Sequence, residues 1–352
     1  MNYDLTEEQE SVRDLAARIF GDRATADRVK EIEAGEERVD RALWSELANA
    51  GLLGVCLPES AGGAGLDLMT LVLLLEQQGR RVAPVPLLPV IAAAQALAGA
   101  GTDVGDVIAG ESFVAPAIWE AHAADPFRPT TTAVDSCLTG NKPSVMGAHV
   151  ADRLVVTARD GVYAVDPRGD GVTLERAIAT SREVVTHVRL EGAPAERIGD
   201  VDALHRLVDV FTLGLCALTI GVCEEANAQA AEYTSNRHQF GKPLSAFQGT
   251  AHKAADSYID TEALRVVTWQ AAWRMDQGRD DAEIALLAAK WHATEAGHLV
   301  THRTQHLHGG MGADIDYPVH RYFQWGKQLA VTLGGATETL ARLGDVLVGA
   351  SA

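Results

Sequence analysis

RHQFGKPLSAFQ, residues 237–248, is a short polar turn set between two long stretches of helical periodicity. Apolar residues recur at helical spacing over 213–233, and the same spacing resumes over 251–275, so the pattern predicts a helix on either side. Between them Gly241 costs backbone entropy and Pro243 lacks an N–H, which interrupts the helix. The turn carries Arg237 as a fixed cation, Gln239 and Gln248 as amide donors, and Phe240 and Phe247 as flat apolar surfaces. That set suits a diphosphate with an attached ring, because a guanidinium forks onto phosphate oxygens and aromatic edges pack on a planar group. A plain helix connection, with a solvated arginine and core phenylalanines, has the same composition.

The rest of the chain limits what such a site can serve. At 352 residues it is long enough for two or three structural layers and a large core, and 47% hydrophobic with 22% charged residues is ordinary for a globular protein. A formal net charge of -18 argues against nucleic acid and anionic membranes as partners, since both require a basic face. The acidic start has no apolar signal-peptide core, and the apolar runs 71–75 and 82–94 are too short or too rich in proline to span a bilayer. Cys56, Cys137, Cys216 and Cys223 include no C-x-x-C pair, which suits a reducing cytoplasm. His298 and His302 are four apart but have no evident third ligand, so no metal site is expected. Ser60 and Ser245 lack a G-x-S-x-G context.

In chain order, Thr6-Glu7-Glu8-Gln9 is a capping box that opens an N-terminal helical domain over 1–111. Further helices are expected over 40–52, 66–78 and 91–97, with Pro84, Pro86 and Pro89 breaking the chain and Arg80-Arg81 closing a helix favourably for its dipole. From 112 to 200 the texture turns β-branched, and strands are predicted over 113–118, 153–158, 161–165, 172–176 and 184–190. From 201 to 352 the chain is helical again. The fold class is therefore mainly α with a small middle β-domain.

A second turn, HLHGGMG at 306–312, followed by Tyr317, Pro318 and Arg321, completes a recognisable pair. Together the two turns resemble those of the acyl-CoA dehydrogenase family, R-x-x-F-G-K-P…F-Q and Q-L-H-G-G-x-G. The P-E-x-x-G-G-x-G loop at 58–65 and the segment LGGATE at 333–338, placed just before a final helix, are similar to that family as well. The resemblance implies an N-terminal helical domain, a β-barrel-like middle domain and a C-terminal four-helix bundle. It also implies that Arg237, Gln239, Phe240, Phe247, Gln248, His306, Gly309 and Gly310 contact the ADP half of an FAD lying mostly in a neighbouring subunit. His306 stands where the family usually has glutamine, and His308 is then a structural partner of the Gly-Gly turn.

Other positions depart further. The family's flavin-ring loops, T-E-P…G-S-D and W-I-T-N, become 117–121 (AIWEA) and 143–147 (PSVMG), which implies a middle domain that keeps its fold and loses its flavin. Both positions known for the catalytic carboxylate, which removes a proton beside the thioester, fall on Gly334 and Phe211. The chain is thus left with no catalytic residue of its own. This pattern resembles the base-lacking subunit of the α2β2 acyl-CoA dehydrogenases of steroid-degrading bacteria, which act on CoA thioesters of sterol side chains such as those met in cholesterol catabolism. It implies a homologous partner subunit that carries the glutamate. A homotetrameric fatty acyl-CoA dehydrogenase with a displaced base, and a structural subunit without FAD contact, remain the alternatives.

Overall fold

The computed structural model describes residues 4–121 and 125–349. The chain packs into two compact units, one formed by residues up to 29, 72–83 and 213 onward, the other by 30–71 and 84–212. Its leading helices are α1 (Glu7–Arg23), α2 (Ala26–Ala34), α3 (Arg41–Asn49), α4 (Leu68–Arg81), α5 (Leu87–Gly99) and α6 (Gly105–Ile108). Thr6 and Gln9 exchange the two bonds of the capping box at α1. Asp40 caps α3 by accepting from the N–H groups of Ala42 and Leu43. Pro89 does not break the chain: it lies in the first turn of α5, where a missing N–H costs nothing.

The β elements are β1 (Val114–Ala117), β2 (Thr132–Val134), β3 (Cys137–Met146), β4 (Arg153–Ala158), β5 (Gly161–Val165), β6 (Val172–Ile178), β7 (Val184–Pro194) and β8 (Glu196–Gly199). They form two four-stranded sheets, ordered β1-β4-β5-β8 and β2-β3-β7-β6, with β1 parallel to β4 and the other pairs antiparallel. Leu138, Leu154, Val156, Tyr163, Val165, Val188 and Leu190 fill one core from both sheets. The expected strands all form, and β2, β3 and β8 are additional. The stretch 143–147 is no free loop, since Pro143 to Met146 belongs to β3, with a bulge between Lys142 and Val145 and Ser144 at φ 56°.

The other unit is helical: the greater part of α7 (Val201–Asn236), then α8 (Gln248–Asp276), α9 (Ala282–Leu307), α10 (Val319–Val331) and α11 (Ala336–Gly349). Helix α11 begins within the 333–338 segment and not after it. Helix α7 is long and apolar enough to cross a membrane by length and composition, but 89% of its most apolar stretch is buried, as befits a core helix. It meets α4 backbone to backbone: a Cβ on Gly221 would stand 2.0 Å from the Glu76 carbonyl oxygen, and one on Gly79 would stand 2.2 Å from that of Leu218. Beside this crossing, Arg265 of α8 donates to Glu76 at 2.6 Å and to Glu224 at 2.9 Å, and the Trp269 indole N–H donates to Glu76 at 2.9 Å. Burial pushes the Glu76 carboxyl up to about 7 against the pull of Arg265 and Trp269. Arg80 and Arg81 do more than favour a helix end, since both pair with glutamates of α7, Arg80 with Glu224 and Glu225 and Arg81 with Glu225.

Candidate functional site

The turn after α7 is a miniature hairpin. Strands β9 (His238–Gln239) and β10 (Lys242–Pro243) pair antiparallel, Lys242 opposite Gln239, which leaves Phe240 and Gly241 as a two-residue loop. Their φ values, 53° and 80°, are both left-handed, as a type I′ turn requires. Glycine adopts that conformation freely and phenylalanine does not, yet the Phe240 ring is 92% exposed, so no core contact holds it there. It touches Phe247 edge-on at 6.3 Å, and Lys242 Nζ lies 4.3 Å from the centre of the Phe247 ring. The reading of these phenylalanines as core residues is thereby set aside.

Arg237, Gln239 and Gln248 are exposed, and Arg237 makes no ion pair among the described residues. Helix α8 starts at Gln248 behind Phe247, which supplies no side-chain cap, so the positive end of the helix dipole opens beside these donors.

The second turn packs at the far end of α9, where the antiparallel α8–α9 pair brings it to the start of α8. His308 is buried and donates from Nδ1 to the Thr304 carbonyl oxygen at 2.7 Å. Its ring stacks on Tyr233 at 4.7 Å, and Tyr317 closes the cluster at 5.4 Å. Tyr233 stands one helical turn before Arg237, and its carbonyl oxygen accepts from the Arg237 backbone N–H. His308 thus ties the exit of α7 to the Gly-Gly turn. Gln305 is taken up inside the turn, donating to the Gly312 carbonyl oxygen at 2.7 Å, while His306 is exposed. Gly309, at φ 58°, and Gly310 have open space where a Cβ would sit. A cation, two amides, an uncapped helix start and a side-chain-free turn form a donor set that fits a diphosphate. Lys253, which bonds His306, belongs to this cluster and lies outside both motifs; the packing of α8 on α9 brings it there, which local spacing does not signal.

The stretches 117–121 and 143–147 present the opposite picture. Glu120 is buried and accepts from Lys142 Nζ at 2.6 Å, from Thr131 N and Oγ1 at 3.0 and 2.6 Å, and from Thr130 N at 2.6 Å. Lys142, fully buried just before Pro143, also donates to the Ile118 carbonyl oxygen at 3.2 Å and to Thr157 Oγ1 at 2.9 Å. Burial opposes both charges, but Lys142 and the threonine donors hold the Glu120 carboxyl down to about 2, and burial holds the Lys142 ammonium down to about 8 against the pull of Glu120.

At the carboxylate positions, Phe211 is buried within α7. Gly334 sits at φ 98° after Leu333 at φ 58°, a backbone that side chains rarely adopt. Glu338 is engaged as a helix-start group, accepting from the Gly335 N–H at 3.1 Å. His298 accepts from Lys327 Nζ at 2.7 Å, which accounts for it without a metal.

Comparison with known proteins agrees with this geometry. The descriptions "Acyl-CoA dehydrogenase, N-terminal domain" and "Acyl-CoA dehydrogenase, C-terminal domain" match residues 6–104 and 203–344. Acyl-CoA dehydrogenase FadE27 of Mycobacterium tuberculosis is 34% identical, covering 99% of each chain. The chain belongs to the acyl-CoA dehydrogenase family. Its members are oxidoreductases acting on CH–CH bonds. Among solved structures, a variant of the Tcur3481-Tcur3483 steroid ACAD is 44% identical with a TM-score of 0.94, covering 98% of this chain and 99% of the other. The ChsE4-ChsE5 complex of Mycobacterium tuberculosis is 33% identical with a TM-score of 0.92, covering 99% of each.

Proposed function

We propose that this chain is the base-lacking subunit of a heteromeric, FAD-dependent acyl-CoA dehydrogenase, and that it completes the flavin site of a homologous partner carrying the catalytic glutamate. The carrying observation is the pairing of an exposed diphosphate donor set with a backbone at Gly334 on which a carboxylate would be strained. In this reading Arg237 forks onto the diphosphate, Gln239 and Gln248 donate amide hydrogens, and Phe240 and Phe247 lie against the ring system. Gly309 and Gly310 let backbone approach. FAD, when bound, supplies the hydride acceptor for α,β-dehydrogenation of the CoA thioester. In this chain's own middle domain Glu120, Lys142, Thr131 and Thr157 are committed to one another, which supports the view that it holds no flavin ring of its own.

Similarity to a steroid ACAD and to a two-protein complex supports a steroid side-chain acyl-CoA as substrate and an α2β2 assembly. The test is flavin stoichiometry by absorbance, with this chain purified alone and co-expressed with a glutamate-bearing homologue. A colourless chain alone and one FAD per heterodimer are expected. One FAD per subunit in the lone chain, reduced by an acyl-CoA, would overturn the proposal.

A further inference from the structure

The two turns are fastened together through Lys253, which neither motif contains, and His306, which opens the second. Lys253 stands on α8 five residues after Gln248, His306 in the last turn of α9, and Lys253 Nζ lies 3.0 Å from His306 Nδ1. An ammonium can only donate, so Nδ1 accepts, and the neutral ring carries its proton on Nε2. His306 is thereby fixed as an N–H donor, matching the amide hydrogen of the glutamine it replaces. Lys253 has no carboxylate partner among the described residues, and the nearby Asp260 is paired with Arg303. Its charge is set against His306, three residues before Gly309.

Resting on the half-site reading above, in which His306 is already one of the implied diphosphate contacts, we infer that Lys253 belongs to the same site and positions His306 within it. His306 donates from Nε2, and Lys253 both fixes that tautomer and supplies positive charge. The test measures the FAD dissociation constant of the holo-complex by flavin fluorescence, across a range of salt concentrations, with ADP as competitor. Lys253→Met and His306→Leu should each weaken FAD about tenfold, as loss of one charge-assisted hydrogen bond does, and Lys253→Met should also flatten the salt dependence. ADP competition should weaken in parallel. His306→Gln should stay within about threefold of the parent, because the donor is restored. A Lys253→Met complex with a lowered melting temperature but unchanged affinity and salt dependence would make the lysine a mere helix staple and overturn the inference. Arg237→Ala separates the two levels. If it releases FAD while Lys253→Met does not, only the role of Lys253 falls; if it leaves FAD bound, the half-site reading falls as well.

Discussion

The turn at 237–248 and the β-domain stretches around Glu120 and Lys142 treat their polar groups in opposite ways. Around Glu120 and Lys142 the polar groups are turned on one another: a buried lysine and a buried glutamate are bonded together with Thr130, Thr131 and Thr157. In the turn Arg237, Gln239 and Gln248 are left in water, and an exposed phenylalanine is held in a left-handed conformation. A buried polar network gives a fold its stability and offers nothing to a ligand. An exposed, strained donor set contributes little to its own fold and is accounted for by something that docks on it. The comparison therefore assigns the two regions different currencies, unfolding free energy for the first and binding for the second.

The largest effect should follow from breaking the closed region. Lys142→Met leaves Glu120 buried without its cation and should cost about 3–5 kcal/mol of stability, as expected when one partner of a buried pair is removed. Urea unfolding of the lone chain measures it, and Glu120→Gln in the same chain should recover part of the loss. A change below about 1 kcal/mol would mean that water reaches the pair, and the contrast between the two regions would dissolve.

A smaller effect should come from acid. The folded Glu120 carboxyl titrates near 2, below its ordinary value of 4.5, so its stabilisation is complete above about pH 4.5 and is lost as pH falls toward 2. The full loss amounts to about 3 kcal/mol. Urea midpoints between pH 2 and 6 should fall along this limb in the parent chain. In Glu120→Gln the chain should be weaker at pH 6 and its limb flatter. Parallel limbs in the two chains would remove Glu120 from the account.

How much of this was legible before the structure differs between the regions for a physical reason. The strands at 153–158 and 161–165 are β-branched and apolar, and they form as read. Strand β3 was hidden because Gly140, Pro143 and Ser144 are turn formers; it survives through a bulge, with Gly140 packed so closely on Thr131 that a Cβ would lie 2.2 Å from the hydroxyl. That strand carries Lys142, so the polar lock was hidden with it. The two C-terminal turns were legible as motifs because their residues are contiguous. Their joining through Lys253 and His306, and through Tyr233 and His308, depends on the α8–α9 and α7 packing, which local periodicity does not encode.

The smallest effect lies in the open region and has the opposite sign. Phe240 and Gly241 form a type I′ turn, for which asparagine-glycine is the favoured pair, and Phe240 gains no burial in return for its left-handed backbone. Phe240→Asn should therefore stabilise the lone chain, by up to about 1 kcal/mol from relief of strain. The same change removes an aromatic surface from the assembled site, so the co-expressed complex should hold its flavin less tightly than the parent. Thermal unfolding of the lone chain and flavin retention by the complex on gel filtration read the two effects separately. A destabilised lone chain would show that the ring has a structural role in the hairpin. A more stable chain whose complex keeps its flavin unchanged would show that the strain at Phe240 serves no contact with a partner's cofactor, and the division between a closed region built for stability and an open one built for binding would lose its clearest support.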